Sequence, residues 1–556
     1  MQEFRIFGPP GTGKTHRLVN RDIPRAVDRF GADKVMVTSF TRAASKELTS
    51  RVASRQDCAV PGEEQSTGEP SATPLPLVGT LHSLCWHALG RPELHVKHIE
   101  DWNQEYPAYA LKGSGQGDMD EGGDELALAS TDGDKLFNQM QLLRARLVPQ
   151  GLWPERVQRF AQKWQAFKDS LHIIDFTDIL ERSLLELPRA PGEPSVMFMD
   201  EAQDADGLQL KLFRSWADKT EWFVLVGDDD QLIFSWAGAS PEFFLMPPVD
   251  DRHKTVLAQS YRVPRRVYDH AISIANRIQV REPKQYQPRD ADGEVVRAQS
   301  TWRYPEGIMR ELESQMAMGR TVMVLATCSY MLDPLKHMLK DMGIPFHNPY
   351  RRRRGDWNPL GGNGAGISSR EMLLSFLDHG DDGPYWSVQG LLSWVKYLQV
   401  GPSGLVRKQG KKAIAVLEEA VEQNLPGLHT SREVLGAILS PDAVGPALDR
   451  NLEWFLEHLN AQRKQSVTYP VRVLRRQGQK ALAEPPRLIL GTVHSVKGGE
   501  ADTVVLYPDL SAQGQQEWMV GGAAARDYTR RVFYVGMTRA RERLVLASGS
   551  GTGPTF

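Results

Sequence analysis

The sequence predicts an α/β protein with two parallel-sheet domains, each carrying a mainly helical inserted subdomain. Three observations support this fold class. Short apolar segments alternate with helix-forming segments, which is typical of a parallel sheet. A glycine-rich phosphate-binding sequence follows the first apolar segment. Two long stretches of mainly helical pattern interrupt the alternation, one in each half of the chain.

The composition is that of a globular protein with several domains. A chain of 556 residues is long for one core, and the usual domain size predicts about three or four domains. No apolar run approaches a membrane span, and the N-terminus enters a strand at once, so we expect neither a membrane segment nor a signal peptide. Because the net charge is -2, any nucleic-acid site must be a local basic groove.

The cysteines favour a reducing compartment, and the expected location is the cytoplasm, in association with the nucleoid or, for a phage-encoded protein, in the host cell. Cys58, Cys85 and Cys328 are far apart and form no C-x-x-C pair. This spacing argues against a structural zinc site and against a four-cysteine iron–sulfur cluster.

The segment Gly8–Thr15 carries the sharpest signal, because it fits G-x-x-x-x-G-K-[ST] at every fixed position. Its glycines let backbone N–H groups surround a phosphate chain. Lys14 can reach the β- and γ-phosphates, and the Thr15 hydroxyl can ligate Mg²⁺. An apolar strand is predicted at 4–7 and a helix from His16, so a phosphate would lie at that helix's N-terminus. Alone, the motif predicts nucleotide binding and no more.

Two later strands end in acidic clusters. The apolar segment 196–199 runs into Asp200–Asp204, and the segment 223–226 runs into Gly227–Gln231. Ligands of a parallel sheet bind at the carboxyl ends of its strands. We therefore expect both clusters on the same side of the sheet as the phosphate loop.

These residues can supply the chemistry that a P-loop hydrolase needs. Asp200 suits the metal, and Glu201 can orient and deprotonate the attacking water. For one Asp-Glu pair the competing interpretation is a solvated loop, which the upstream phosphate loop and the preceding strand disfavour. Arginines near 261–262 and 538–543 could stabilise charge on the γ-phosphate, although alone they would be surface arginines.

A second alternating set of elements follows. It begins near 255–257, breaks off around 348 and resumes near 488. Its other strands are predicted at 321–325, 488–490, 504–506 and 544–546. The intervening helical patches at 388–399, 411–423 and 447–460 predict the second inserted subdomain.

Aromatic side chains beside polar groups meet the physical requirement for nucleic-acid binding. Phe40, at a predicted strand end, is followed by Thr41 and Arg42. Phe234 and Trp236 follow the second acidic cluster. Core packing is the competing interpretation for each aromatic residue, and the residues alone leave the two equally weighted.

Taken in order, the motifs resemble those of superfamily 1 helicases of the UvrD/Rep/PcrA type. Gly8–Thr15 is similar to the family's first motif, and Asp200–Asp204 matches its Asp-Glu-x-Gln-Asp box. The remaining matches span both predicted core domains and lie at 38–44, 79–82, 175–180, 226–236, 259–262, 492–500 and 534–540.

The resemblance implies two RecA-like core domains with ATP and Mg²⁺ in the cleft between them. The first core domain would comprise 1–83 and 172–252, with 84–171 as its insertion. The second would comprise 253–350 and 485–556, with 351–484 as its insertion.

The resemblance also implies roles for individual residues. Catalytic roles fall to Lys14, Glu201, Gln231, Arg262 and Arg539, and the metal ligands would be Thr15 and Asp200. The nucleotide-binding residues would be Gly8, Pro9, Pro10, Gly11, Thr12, Gly13, Lys14, Thr15, His16, Tyr261 and Glu500. The DNA-binding residues would be Phe40, Thr41, Arg42, Thr80, His82, Phe234, Trp236, Thr492 and His494.

The implied function is an ATP-dependent DNA helicase or translocase that moves 3′→5′ on single-stranded DNA and acts at single-strand/duplex junctions in repair, recombination or replication. One alternative, a translocase that removes proteins from DNA with little unwinding, shares every motif. A non-motor P-loop enzyme such as a nucleotide kinase would not explain two separated arginine motifs. A helicase–nuclease subunit is disfavoured because the chain ends soon after Arg543, which leaves no space for a nuclease domain.

The chain departs from the family pattern at several places. The family's adenine-reading glutamine lies further upstream of the phosphate loop than this chain reaches, which leaves adenine selectivity open. His16 and Ala237 stand where arginine is frequent, and Gly499 and Ala501 replace bulkier apolar residues. None of these changes removes a catalytic group.

Two further features have open interpretations. The run Arg351–Arg354, with Tyr350 and Trp357 nearby, is either a phosphate-binding loop or a solvated face. Trp518 is expected to anchor a hydrophobic loop rather than to act as a strand-separating wedge.

Overall fold

The computed structural model describes residues 3–39, 75, 77–112, 131–351, 356–361, 367–378, 385–400, 406–407, 409–423 and 430–550. The chain divides into two compact units. The first unit comprises 1–301, 325–329 and 492–556, and the second comprises 302–324 and 330–491. Within the described ranges, no helix is long and apolar enough to cross a membrane.

The described elements alternate between strands and helices over much of the chain. The strands are β1 Glu3–Phe7, β2 Val35–Ser39, β3 Leu77–Gly79, β4 Val196–Asp200, β5 Trp222–Gly227, β6 Lys254–Val256, β7 Gln259–Pro264, β8 Gln287–Arg289, β9 Glu294–Ala298, β10 Val322–Ala326, β11 Leu488–Thr492, β12 Ala501–Leu506 and β13 Ala540–Ala547. The α-helices are α1 Lys14–Arg17, α2 Ile23–Phe30, α3 Leu81–Ala88, α4 Ile99–Glu105, α5 Asp132–Ala145, α6 Glu155–Leu171, α7 Phe176–Glu186, α8 Gly207–Ser215, α9 Pro241–Leu245, α10 Arg265–Ala275, α11 Glu306–Ala317, α12 Asp333–Met342, α13 Ser369–Leu377, α14 Val388–Val395, α15 Gly410–Glu422, α16 Arg432–Ile438, α17 Pro441–Leu448, α18 Leu452–His458, α19 Ala461–Gln477, α20 Gln479–Ala483, α21 Ala512–Val520 and α22 Gly522–Met537.

A six-stranded parallel sheet organises the first unit, in the order β3-β2-β4-β5-β1-β6. Successive side chains of a strand point to opposite faces, and both faces of this sheet are covered. Ile6 and Val35 pack in a core with residues of α2. Phe7 and Met36 pack in a second core with residues of α3, α7 and α8. Since neighbouring strands are parallel, the loops after β1, β4 and β5 all lie at the carboxyl ends of the strands, on the same side of the sheet.

One strand lies in a different sheet from the predicted one. The segment 255–257 was expected to begin the second alternating set, but β6 pairs with β1, with Ile6 opposite Thr255. That expectation is wrong because a three-residue apolar segment contains no signal for its partner, which only tertiary pairing selects. The other boundaries of the four-part division stay predictions.

The helices α4 to α6 of the first unit pack around an aromatic core that includes Trp102 and Trp164. A buried ionic cluster joins α5 and α6 to the start of α7. Asp175 begins α7 as its N-cap and accepts hydrogen bonds from Arg144 and Lys168, each at 2.9 Å. Burial would raise the pKa of Asp175, but the two cations outweigh it and hold that pKa well below its ordinary value. The acidic-aromatic segment 175–180 therefore caps a helix.

Further parallel strands of the first unit belong to a second sheet, where β13 lies between β12 and β9. Helix α22 precedes β13 and is almost entirely buried in its C-terminal half. The short strands β7 and β8 form a separate parallel pair. Strands β10 and β11, which belong mostly to the second unit, are neighbours.

The helices α13 to α20 of the second unit surround a core that includes Trp386 and Trp394. The helical pattern predicted over 447–460 comprises two helices, because Arg450 adopts a left-handed conformation with φ of 52° between them. Arg351 is only 7% exposed and lies 4.3 Å from the ring centroid of Trp357. This residue is therefore not part of a solvated face, while Arg352–Arg354 lie outside the described residues.

Candidate nucleotide site and adjoining aromatic surface

The phosphate loop has the backbone shape that its glycines predict. Gly11 and Gly13 have φ of 72° and 77°, the left-handed region that side chains disfavour. Gly8 N donates to the Gly227 carbonyl at 2.9 Å, which fixes the loop beside the end of β5. Helix α1 begins at Lys14 and continues through a π-helical turn into α2, so its free N–H groups face the loop.

The predicted catalytic groups of the first sheet converge on this loop. Thr15 Oγ1 donates to Asp200 Oδ2 at 3.1 Å. Lys14 Nζ donates to the Gly8 carbonyl at 2.9 Å and lies 3.9 Å from Glu201 Oε1. The lysine thus contacts protein oxygens at the position where the motif predicts phosphate oxygens.

The pKa values of Asp200 and Glu201 are shifted in opposite directions. Burial and the neighbouring Glu201 carboxylate raise the pKa of Asp200 to about 7. Burial would also raise the pKa of Glu201, but Lys14 and then Lys497 outweigh it and lower that pKa to about 2. A cation beside Asp200 would offset the cost of burying its charge, and the Thr15 hydroxyl and Asp200 carboxylate are oxygen donors of the kind that Mg²⁺ prefers. These two residues therefore fit a magnesium ion.

Residues of strand β7 face the same loop. Tyr261 N donates to the Gly11 carbonyl and Ser260 Oγ to the Pro10 carbonyl, both at 2.8 Å. A methyl group on Gly11 would lie 2.4 Å from Arg262 Cβ. Strand β7 is thus packed directly on the phosphate loop, which places Arg262 beside it. The Tyr261 side chain is 71% exposed.

Each predicted γ-phosphate arginine has a protein partner. Arg262 Nε donates to Glu500 Oε2 at 2.6 Å, and Arg541 Nη1 contacts the other oxygen of the same carboxylate at 3.0 Å. Arg539 Nη2 donates to Gln231 Oε1 at 2.9 Å and is fully buried. Arg539 Nη1 also donates to the carbonyl of Gly499, the neighbour of Glu500, at 3.3 Å. The three predicted residues Gln231, Arg262 and Arg539 are therefore brought to one site, with Glu500 beside them.

An aromatic surface adjoins this site. The Phe234 ring lies 5.9 Å from Trp236 and 6.3 Å from His494 between ring centroids. Phe234 is 8% exposed and Trp236 is half-buried. The Trp236 indole nitrogen has no hydrogen-bond partner among the described residues, although buried donors are normally satisfied. We call Phe234, Trp236, His494 and Tyr528 the aromatic surface.

The structure adds two residues to this region that sequence reasoning did not assign. The Tyr528 hydroxyl lies 2.9 Å from His494 Nε2, within hydrogen-bond distance. Lys497 contacts Asp204 Oδ2, and its ammonium lies 5.0 Å from the centroid of the Phe234 ring. Lys497 stands inside the matched segment 492–500, so its motif could have indicated it. No pattern in the sequence indicated Tyr528, because its partner is distant along the chain.

The remaining predicted residues have varied positions. Thr80 caps α3 by accepting a hydrogen bond from Ser83 N, and with His82 it lines a small cavity that also reaches Asp200. Thr492 is buried and its hydroxyl accepts from Ser495 N at 3.2 Å. His16 is exposed, whereas Pro9, Pro10 and Thr12 are buried. Phe40, Thr41 and Arg42 lie outside the described residues.

Comparison with known proteins finds two matching family models. The UvrD/REP helicase N-terminal domain matches residues 1–247, and the UvrD-like helicase C-terminal domain matches residues 449–550. Together the two matches cover more than half of the chain.

Individual relatives are distant. The chain is 26% identical to the ATP-dependent DNA helicase Rep of Buchnera aphidicola subsp. Acyrthosiphon pisum (strain APS) over 50% of its own length and 44% of that protein. It is 26% identical to DNA helicase II of Haemophilus influenzae over 46% of its length and 36% of that protein. It is 25% identical to Rep of Escherichia coli (strain K12) over 50% of its length and 42% of that protein. The chain thus spans less than half the length of these relatives. A solved structure of the PRRSV helicase aligns at 11% identity with a TM-score of 0.31, covering 98% of this chain and 52% of that one.

The contact between the phosphate loop and β7 predicts a difference between two glycine substitutions. Gly11→Ala should destabilise the protein more than Gly90→Ala. Both positions have positive φ, which costs an alanine about 1–2 kcal/mol, but only the Gly11 methyl would meet Arg262 and Ser260. Urea unfolding followed by tryptophan fluorescence measures both variants. Equal losses of stability would contradict tight packing at Gly11.

Proposed function

We propose that this chain, which belongs to the family of UvrD/Rep-like superfamily 1 helicases, is an ATP-dependent motor that moves on single-stranded DNA. The main support for the proposal is that one short segment of the chain connects the nucleotide site to the aromatic surface. Residues 228–236 begin with Asp228 beside Gln231, which contacts Arg539, and end in Phe234 and Trp236 on the aromatic surface. A change at the nucleotide site can therefore move the aromatic surface.

The nucleotide would bind as Mg·ATP at the phosphate loop. The loop N–H groups and Lys14 would hold the phosphates, and Thr15 and Asp200 would hold the ion. The ion supplies charge that stabilises the transferred phosphate group. Glu201 would orient the attacking water and accept its proton. Because Lys14 now contributes to the low pKa of Glu201, drawing the lysine onto phosphate oxygens would make this carboxylate more basic.

The arginines would respond to the γ-phosphate by exchanging partners. Arg262 would leave Glu500, and Arg539 would share its guanidinium between Gln231 and the phosphate. Positioned cations of this kind stabilise the charge that develops during phosphoryl transfer. The released Glu500 carboxylate could then accept a hydrogen bond from the ribose. ATP hydrolysis would reverse these exchanges.

Single-stranded DNA would bind along the aromatic surface, with Phe40, Thr41, Arg42, Thr80 and His82 as further contacts. Stacking of a base on an aromatic ring contributes about 1–3 kcal/mol. Burial and the nearby Lys497 lower the pKa of His494 to about 4. This imidazole is therefore neutral at neutral pH and would contact a base or sugar rather than pair with a phosphate as a cation.

Family membership supports travel in the 3′→5′ direction and action at single-strand/duplex junctions. The proposed cycle is closure on ATP and opening after hydrolysis, with Phe234 and Trp236 passing successive bases. This motion is a gating step of the kind that sets the turnover rate of many enzymes.

The motor proposal predicts ATP hydrolysis that single-stranded DNA accelerates. Lys14→Ala and Glu201→Gln should each lower turnover by on the order of 100-fold or more, since each removes a group that acts on the phosphate or the water. Steady-state phosphate release with and without an oligonucleotide measures this. Lys211→Ala and Glu155→Gln, at exposed positions, are the matched controls. A rate that DNA leaves unchanged would exclude the motor.

The aromatic surface predicts a selective loss of DNA coupling. Phe234→Ala with Trp236→Ala should raise the DNA concentration for half-maximal stimulation by at least about tenfold, because at least one base would lose its stacking partner. Basal hydrolysis should stay unchanged. The matched control is Phe30→Ala with Trp222→Ala, a ring pair 5.3 Å apart at the amino end of β5. If both double variants keep wild-type DNA stimulation, the aromatic surface is only part of the core.

The direction of travel predicts which end of an oligonucleotide is cleared. A 3′→5′ motor should displace streptavidin from a 5′-biotinylated strand much faster than from a 3′-biotinylated one, with Lys14→Ala as the inactive control. The reverse preference would contradict the proposed polarity. Strand separation on a forked duplex, measured in parallel, distinguishes a helicase from a translocase with little unwinding.

A further inference from the structure

A buried lysine lies at the centre of the second acidic cluster. The Lys284 side chain is 1% exposed, and its ammonium lies 3.1 Å from Asp228 Oδ1 and 3.1 Å from Asp230 Oδ2, while also contacting Asp229. Arg281 is a second cation of this cluster, with Nη2 at 2.6 Å from Asp230 Oδ2. Three adjacent carboxylates are thus held together by two cations that lie more than fifty positions further along the chain.

The cluster is connected to the nucleotide site through one carboxylate. Asp228 Oδ1 faces Lys284, whereas Asp228 Oδ2 accepts a hydrogen bond from Gln231 Nε2 at 2.7 Å. Gln231 Oε1 in turn accepts from Arg539. Since both ends of the Gln231 amide have a partner, its orientation is fixed, and a 180° rotation would break both bonds.

The charge on Lys284 is needed for this arrangement. The cluster is buried, and its carboxylates repel one another, which favours protonation of one of them or displacement of its side chain. Even with the lysine present, burial raises the pKa of Asp229 to about 6. Without the ammonium, Asp228 would lose its positive partner and would no longer present a fixed charged acceptor to Gln231.

The segment that carries Lys284 is also attached to helix α22, which leads to Arg539. Arg531 Nε donates to the Asp229 carbonyl at 2.8 Å, and Asp527 Oδ2 accepts from Gln279 N at 2.8 Å. Gln231 and Arg539, which contact each other, are therefore held by one set of connected residues. This set positions both side chains of the contact.

We infer that Lys284 is a positioning residue that acts through Asp228 to orient the Gln231 amide toward Arg539 and the γ-phosphate. The inference rests on the proposed ATP hydrolysis, to which it adds a residue outside every matched motif. The Lys284 ammonium contacts the three carboxylates, and in this inference it acts on the nucleotide only through Gln231. Its substitution should therefore lower the rate of the chemical step while leaving the affinity for ATP nearly unchanged.

Two substitutions separate positioning from stability. Lys284→Met and Arg281→Met each remove one cation from the cluster, but only Lys284 contacts the carboxylate that holds Gln231. We expect Lys284→Met to lower basal kcat by about tenfold or more with KM changed by less than about threefold, the pattern of a lost transition-state interaction. Arg281→Met should keep basal kcat within about threefold of wild type. Equal losses in the two variants would overturn the inference.

A double-mutant cycle tests the route through Gln231. In a Gln231→Ala background, Lys284→Met should cause little further loss of kcat, because the orientation that it sets no longer matters. Independent, multiplicative losses would overturn the inference. Should Lys284→Met fail to fold in thermal unfolding, Asp228→Asn replaces it, since the isosteric amide disrupts the same route and should give the same loss of kcat.

These measurements use basal turnover without DNA. An enzyme that hydrolyses ATP without DNA stimulation would contradict the proposed motor and still report on Lys284. Conversely, a DNA-stimulated enzyme in which Lys284→Met keeps wild-type basal kcat would contradict only the role of Lys284.

Discussion

The contact between the phosphate loop and strand β7 is the interaction on which the candidate site depends. Two hydrogen bonds, from Tyr261 N to the Gly11 carbonyl and from Ser260 Oγ to the Pro10 carbonyl, join segments about 250 positions apart. They place Arg262 beside the loop, and they require a residue without a side chain at Gly11. Without this contact, the phosphate-binding groups of the first sheet would lack Arg262, which the proposed ATP hydrolysis uses.

The charged groups of the site are compensated by one another in this structure. Lys14 contacts Gly8 and Glu201, Arg262 contacts Glu500, and Arg539 contacts Gln231. A buried charge without a partner is costly, and these contacts give each of these charges a partner. Binding of Mg·ATP would replace several of them together. In the proposed function, this exchange is the source of the conformational change.

In the proposed motor, the aromatic surface and the acidic cluster around Lys284 would transmit changes at the nucleotide site to DNA. Asp228 and Trp236 belong to one short segment, so the orientation of Gln231 and the position of the aromatic rings share the same backbone. Lys497 adds a second connection, from Asp204 to the Phe234 ring. Both connections involve buried or partly buried charges, whose electrostatic interactions are stronger than those at the surface.

The phosphate loop, the acidic clusters at strand ends and the alternation of strands and helices could be predicted from the sequence alone, because they depend on local residue types and short spacings. The family match confirms the α/β fold with parallel sheets. Tertiary contacts were needed to establish that β6 joins the first sheet, that Glu500 contacts Arg262, and that Lys284 and Tyr528 adjoin the site. Each of these contacts joins residues far apart in the chain, and no local pattern records which distant partner a residue will meet.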